Sequence, residues 1–238
     1  MDKLYMILLC LMIVPILICI KYSRKIKSDV ASSIVKCLIF AIVTILSNGL
    51  SAFSGNETFS YIMEALYRFS FDLMLIYVLQ YSQQYTRVFH EVSPFKKGCF
   101  IIAYLDGILL FLNIIFHNVF TIETVRFPNF DMYHVADKSI IFYFHYVFAY
   151  GLVFCIIASF IIKIIQIPDF YRRKYLPILV LMCVITVSKF ICGILEFPID
   201  VSLPFFVCAA ILICYLTLYR SSRELVDKTL SIVVNEMN

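Results

Sequence analysis

Three ionisable residues interrupt an otherwise apolar stretch of the chain at intervals of four. Glu64, Arg68 and Asp72 lie within YIMEALYRFSFDLMLIY, residues 61–77. Residues i, i+4 and i+8 lie nearly one above another on an α-helix, so the spacing predicts a single polar stripe. A guanidinium between two carboxylates can bind an anionic group of a ligand, or it can hold helices together through ion pairs. Which of these the stripe does depends on the elements that face it.

The composition is typical of a membrane protein. The chain is 62% hydrophobic and 15% charged, with a mean hydropathy of +0.92, whereas soluble domains are about 25% charged. Seven apolar runs have the length of about 20 residues that a helix needs to cross a bilayer. They span residues 4–22, 33–54, 59–81, 98–118, 140–163, 175–195 and 203–219. The sequence predicts an all-α, polytopic bundle of seven transmembrane helices over residues 1–219, embedded in a lipid bilayer, with no second folded domain.

Positive charge is distributed unevenly between the two ends of these runs. If the amino terminus lies outside, fifteen of the 20 lysines and arginines fall on the inner side. They are Lys21, Arg24, Lys25, Lys27, Lys36, Arg87, Lys96, Lys97, Lys163, Arg172, Arg173, Lys174, Arg220, Arg223 and Lys228. Lys3, Arg126 and Lys138 fall on the outer side, so the positive-inside rule predicts an outer amino terminus and an inner carboxyl terminus. The net charge of +4 then reflects topology, and no nucleic-acid partner is predicted.

Polar residues of other runs are expected at the depth of the stripe, because successive helices alternate in direction. The outer half of the bundle interior is predicted to hold Glu64, Arg68, Asn113, His117, His145 and Lys189. Asp72 and Asp106 are expected deeper, as a polar network near mid-membrane. Charges at such depth normally face a bundle interior or a wet cavity. The six outer residues are therefore the predicted binding site of a small polar ligand, and Arg68 and Lys189 favour an anionic group on it.

Simpler roles are open for the same side chains. Glu64 and Arg68 can neutralise one another, with Asp72 closing the ladder, as a network that fixes helix packing. Lys189 can extend its amine to the outer headgroups. His145, between aromatic neighbours, can be a hydrogen-bonded residue of the core.

Catalytic motifs are missing from the sequence. It contains no G-x-S-x-G, H-E-x-x-H or glycine-rich phosphate loop, so no catalytic residue or activity is predicted. Its nine cysteines include no C-x-x-C pair, and His117 and His134 are too isolated to indicate a metal site. The run 203–219 has no lysine that could hold retinal. We predict no cofactor and no metal.

Six stretches resemble a known family of membrane sensors. They are EALYRFSFDLMLIYVLQYSQQY, FLNIIFHNVF, YFHYVFAYGLVF, YRRKYLPILV, FPIDVSLPFF and AAILICYLTLYRSSRELVDKTLSIVVNEMN. Together they are similar to the seven-transmembrane amino-terminal region of bacterial histidine kinases, which also occurs fused to diguanylate cyclases. The resemblance implies a sensory input module in the bacterial plasma membrane. A small transport or substrate-capture component is the alternative, since intramembrane polar residues can also line a translocation path. A third possibility is an assembly subunit without a ligand.

Residues 220–238 follow the last run without a glycine or proline, so the helix is predicted to continue into the cytoplasm as a signalling helix. Val226, Leu230, Val233 and Met237 recur at spacings of four and three, which predicts the seam of a short coiled coil and a homodimer. The alternative is an amphipathic tail on the inner membrane face. The resemblance implies that an effector domain, a kinase or a cyclase, follows this helix or acts with it.

Overall fold

The computed structural model describes residues 2–53, 55–88, 93–127, 130–194, 210–214 and 216–217. The six helices of this part are α1 (Asp2–Ser23), α2 (Asp29–Phe53), α3 (Glu57–Thr86), α4 (Ser93–Phe116), α5 (Ile140–Gln166) and α6 (Asp169–Ile194). Each of the first six apolar runs is thus a helix, as predicted. In the seventh run, residues 210–214 are helical. Residues 203–209, 215 and 218–219 of that run lie outside the described residues. So does the predicted signalling helix, with its seam at Val226, Leu230, Val233 and Met237.

Four of the described helices are long and apolar enough to cross a membrane: Asp29–Ala52, Pro94–Phe116, Ile140–Gln166 and Tyr171–Ile191. Their outer surfaces are apolar, since Ile115 of α4 and Phe154 of α5 are each 72% exposed. Large exposed apolar surfaces are rare on soluble monomers and suit contact with lipid. The helices therefore indicate a membrane protein.

Helix α3, which carries the polar stripe, lies at the centre of the described bundle. It packs against α2, α4 and α5, while α1 contacts α2 and α6 contacts α5. The side chain of Asn56 caps its first turn by accepting a hydrogen bond from the Phe59 amide at 3.0 Å. Its last turn ends at Arg87, whose φ of 56° is left-handed and whose amide donates to Gln83. Both ends are thus fixed by local chemistry, and both flanks of α3 are covered by other helices.

Helix α4 approaches α3 closely at Gly107. A Cβ built on Gly107 would lie 2.5 Å from a ring carbon of Phe69 on α3. The Phe69 ring has little freedom to retreat, because the rings of Tyr104 and Phe111 flank it at centroid distances of 5.8 and 6.3 Å. The absence of a side chain at this glycine lets α4 bring the neighbouring Asp106 to the bundle interior.

The connection between α4 and α5 contains two strands, which the all-α prediction missed. β1 (Phe120–Phe127) and β2 (Phe130–Lys138) pair antiparallel, with Ile122 opposite Val135. Apolar and polar residues alternate over the first four positions of β1, as in a strand with one buried face. Phe120 and Ile122 are buried, whereas Glu123 is exposed. The prediction was wrong here because a search for long apolar runs cannot detect alternation with a period of two.

The hairpin closes one end of the bundle. Its buried face packs with Tyr61 and Ala65 of α3, Leu110 of α4 and Phe142 of α5 in a small apolar cluster. The Tyr61 hydroxyl accepts a hydrogen bond from the Ile122 amide at 3.0 Å. This contact fixes β1 over the amino-terminal half of α3, directly above the polar stripe. We call this end of the molecule the hairpin end.

We expect Gly107→Ala to destabilise the purified protein although alanine favours helices by about 1 kcal/mol over glycine. The added methyl would force α4 away from Phe69, and overpacking of this kind costs about 1–3 kcal/mol. Gly151→Ala is the matched control, because the space beside Gly151 in α5 is open. Thermal unfolding in detergent should show a lower midpoint for the first variant and an unchanged or higher midpoint for the second. Equal midpoints would contradict the close approach of α3 and α4.

Candidate functional site

The upper part of the stripe is a buried ion pair. An Nη2 hydrogen of Arg68 is donated to Oε1 of Glu64 at 2.5 Å, and both residues are 7% exposed. The other carboxylate oxygen of Glu64 accepts a hydrogen bond from Ser51 of α2 at 3.2 Å. The stripe therefore faces protein at Glu64 and Arg68, which agrees with the expectation that charges in an apolar bundle face its interior. Because each charge has a partner, the pair avoids the cost of a lone ion in an apolar interior.

The guanidinium of Arg68 lies among four aromatic rings. Its central carbon is 4.2 Å from the ring centroid of Phe142, 5.7 Å from Phe120, and 5.9 Å from both Tyr67 and Tyr146. Rings at these distances attract a cation through their quadrupoles. The Nε of Arg68 nevertheless has no hydrogen-bond partner among the described residues. The guanidinium is thus held in place by its neighbours, while its Nε–H has no acceptor among the described residues.

Lys189 of α6 joins this group through Tyr67. Its Nζ donates a hydrogen bond to the Tyr67 hydroxyl at 2.8 Å and lies 5.3 Å from the ring centroid of Phe71. Lys189 is half-buried, so its amine does not simply extend along the helix to the headgroups. Arg68 and Lys189 flank one tyrosine ring, and two cationic side chains from α3 and α6 therefore face the same region of the interior.

Asp72, Asp106 and His145 form a second buried cluster, one turn further along α3. Each comes from a different helix, α3, α4 and α5, and none is more than 3% exposed. Nδ1 of His145 lies 2.8 Å from Oδ2 of Asp106 and 3.2 Å from Oδ2 of Asp72. Asp72 does not close the ladder with Arg68, which was the simpler interpretation of the sequence. Both of its carboxylate oxygens lack a hydrogen-bond partner among the described residues.

The predicted ligand site is therefore only partly assembled. Glu64, Arg68 and Lys189 come together around Tyr67, and His145 lies beside Tyr146 but is directed to the aspartates. Asn113 has a different role. Its side-chain oxygen accepts hydrogen bonds from the amides of Val119 and Phe120 at 2.6 and 3.3 Å, and its amide donates to the Phe120 carbonyl at 2.8 Å. Asn113 therefore holds the start of β1.

His117 also lies apart from the buried residues. It follows the last turn of α4 with a left-handed φ of 49°, and its side chain is exposed. The imidazole packs edge-on against the ring of Tyr61, with the centroids 4.6 Å apart. His117 does follow the fourth helix, as its place in the sequence requires, but that place does not give the direction in which its side chain turns.

The aromatic surround of Arg68 was not predicted. Phe142 and Tyr146 lie four residues apart on α5, with His145 between them, so all three share one face of that helix. Phe120 comes from the hairpin, which the sequence treated as a loop. The signal that could have found the α5 residues is the spacing of Phe142, His145 and Tyr146, since a polar residue within an aromatic helix face marks a face turned inward.

The chain matches no family model and no curated protein. The resemblance to membrane sensors of histidine kinases thus stays a prediction. The geometry of the two buried clusters is what supports a function.

Loss of Arg68 should be partly rescued by loss of Glu64. Arg68→Leu leaves a buried carboxylate without its cation, which costs about 3–5 kcal/mol, whereas Glu64→Gln in the same chain removes that charge. We expect the double variant to unfold at a higher temperature than Arg68→Leu alone. Asp72→Asn is the matched control, because Asp72 is also four residues from Arg68 but is not paired with it. It should change the midpoint by the same amount with and without Arg68→Leu. Coupling of Asp72→Asn to Arg68→Leu as strong as that of Glu64→Gln would contradict the observed pairing.

Asn113→Leu should loosen the hairpin while leaving the helices in place. The change leaves the buried amides of Val119 and Phe120 without an acceptor, and each unsatisfied group costs about 1–3 kcal/mol. Limited proteolysis should therefore cleave between residues 120 and 138 faster than in the native protein. Asn118→Ala, at an exposed neighbouring position, should cleave at the native rate. Indistinguishable rates for the two variants would contradict the anchoring role.

Proposed function

We propose that this chain is a membrane-embedded sensory input module of the bacterial plasma membrane. In this proposal seven helices cross the bilayer with the amino terminus outside and the carboxyl terminus inside. A small polar ligand with an anionic group binds among Arg68, Lys189 and Tyr67. Its binding changes the position of the last helix, which passes the signal to a cytoplasmic histidine kinase or diguanylate cyclase, attached or separate.

The observation that carries the proposal is the Nε of Arg68. This N–H is buried, has no acceptor among the described residues, and belongs to a side chain that four aromatic rings hold in place. The planar guanidinium group pairs well with carboxylate and phosphate anions, which accept two parallel hydrogen bonds from it. A purely structural ion pair does not require an arginine with an unused donor. A bound anion would satisfy Nε, and Lys189 would add a second positive charge nearby.

The inside position of the carboxyl-terminal end is supported by two contacts of the seventh run. The Thr217 hydroxyl lies 2.8 Å from the Tyr81 hydroxyl of α3, and the Cys214 thiol lies 3.4 Å from the Ser23 hydroxyl at the end of α1. Both contacts are at the end of the bundle away from the hairpin. Lys21 and Arg24 lie at the same end, next to Ser23. This matches the positive-inside distribution if the hairpin end faces out.

The same contacts suggest how binding would reach the output. Arg68 and Tyr81 lie on one continuous helix, α3. A ligand that pulls Arg68 and Lys189 together would shift α3 relative to α6, and the Tyr81–Thr217 contact would move with it. Interfaces of packed helices tend to switch between discrete arrangements rather than deform gradually. The predicted coiled-coil seam would then transmit the shift between two copies of the chain.

Continuous helices favour the sensor over the transport alternative. Carriers typically bind substrate where two helices of matching repeats are broken near mid-membrane. Within the described residues, α3, which carries Arg68, runs unbroken for 30 residues, and α5, which packs beside it, runs unbroken for 27. The region around Arg68 is thus built from intact helices. Intact helices suit a site that binds a ligand and does not transport it.

A thermal-stability screen of the purified chain against small carboxylates and phosphates tests the proposed site. We expect a ligand present at about 100 times its dissociation constant to stabilise the protein by roughly 2.7 kcal/mol. The stabilisation should be lost in Arg68→Lys, which keeps the charge but removes the Nε–H, and in Lys189→Ala. Lys97→Ala, at an exposed position, should retain it. A ligand whose effect survives both Arg68→Lys and Lys189→Ala would remove this site from the proposal.

A further inference from the structure

The cluster of Asp72, Asp106 and His145 is incomplete in its own hydrogen bonds. A single hydrogen on Nδ1 of His145 can be donated to one of the two nearby carboxylates, and Asp106 at 2.8 Å is the closer acceptor. Asp72 is fully buried, and neither of its oxygens has a hydrogen-bond partner in the described part of the chain. An unsatisfied carboxylate in an apolar interior is costly. Something beyond these three side chains is needed to satisfy Asp72.

A positively charged component would complete the cluster. With both carboxylates ionised and the imidazole neutral, the three side chains carry two negative charges, and burial in low dielectric penalises that excess. Arg68, one turn away on α3, forms an ion pair with Glu64 at 2.5 Å. Lys189 donates a hydrogen bond to the Tyr67 hydroxyl at 2.8 Å. Neither cation is bonded to the aspartates. A divalent cation would neutralise the cluster without any further side chain.

The geometry already approaches that of a metal site. One ligand atom from each of the three residues can be chosen so that all lie within 4.8 Å of one another. A tetrahedral ion with bonds of about 2.1 Å to nitrogen and oxygen needs its ligand atoms about 3.4 Å apart. The Oδ2 atoms of Asp106 and Asp72 lie 2.8 and 3.2 Å from Nδ1. Small side-chain adjustments would therefore admit an ion in place of the Nδ1 hydrogen.

We propose that Asp72, Asp106 and His145 bind a divalent transition-metal ion within the helix bundle. A site of one nitrogen and two carboxylates suits zinc, manganese or ferrous iron, whereas magnesium and calcium prefer oxygen ligands alone. A metal ligand must present a lone pair, so the bound imidazole carries its hydrogen on Nε2. A neutral imidazole reaches this form by moving its hydrogen from Nδ1 to Nε2, and an imidazolium reaches it by releasing the Nδ1 hydrogen as a proton. Three protein ligands leave a coordination position for water or for a group of another molecule. The ion would join α3, α4 and α5 one turn from Arg68.

The site does not depend on the organic ligand proposed above, so it is tested with the metal alone. The full chain, purified in detergent and treated with a chelator, is dialysed against zinc or manganese, and its metal content and melting temperature are measured. We expect about one ion per chain and a rise in melting temperature, which is the linkage effect of a ligand that binds only the folded state. Magnesium at the same concentration should have neither effect.

Variants separate this site from surface binding. Asp72→Asn, Asp106→Asn and His145→Gln should each lose the bound ion and the stabilisation, while exposed Asp169→Asn and His117→Gln should keep both. If a cluster variant fails to fold, the native protein still decides the question through cobalt substitution. A tetrahedral nitrogen–oxygen site gives cobalt a visible spectrum distinct from that of the hydrated ion. No retained ion, a hydrated-ion spectrum, or metal retained in the folded cluster variants would overturn the proposal.

Discussion

The charge of Arg68, buried in a bundle of apolar helices, is the constraint on which the rest of the structure depends. The free-energy cost of an isolated ion in such an interior is prohibitive, so neighbouring groups must stabilise the positive charge. Glu64 pairs with it from the same helix, and the rings of Phe142 and Tyr146 on α5 attract it through their π-electrons. These demands place α3 at the centre of the bundle, because only a central helix has neighbours on enough sides. Its apolar neighbours α2, α4 and α5 then separate it from the surroundings of the bundle.

The hairpin completes this arrangement at one end. Phe120 belongs both to the apolar cluster under β1 and to the ring of contacts around Arg68. Asn113 ties the start of β1 to α4 through three hydrogen bonds, so the position of Phe120 is fixed by α4. The loop between the fourth and fifth helices is therefore part of the interior. Any solute that enters from the hairpin end meets this cover before it reaches Arg68.

Much of the fold could be predicted from the sequence, and the limits have a clear physical origin. Apolar runs located six helices, and the four-residue spacing of Glu64, Arg68 and Asp72 identified a face turned inward, because helical periodicity is local information. The left-handed backbone at His117, just past the end of α4, was not predictable, and its side chain is exposed. Rotation about the helix axis was not predictable either, and it turns His145 inward. It also decides that Asp72 meets His145 on α5 instead of Arg68 on its own helix.

We expect the stripe on α3 to face protein and the exposed surfaces of the other helices to face lipid. Photoactivated labelling of the native chain in lipid vesicles, with a carbene precursor that partitions into the bilayer, tests it without any substitution. Mass spectrometry should find modified residues on the exposed surfaces of α4 and α5, including Ile115, Val147 and Phe154, which are 70–72% exposed. Glu64, Arg68 and Asp72 should be unmodified. Labelling of the three stripe residues at the level of Val147 would contradict the account.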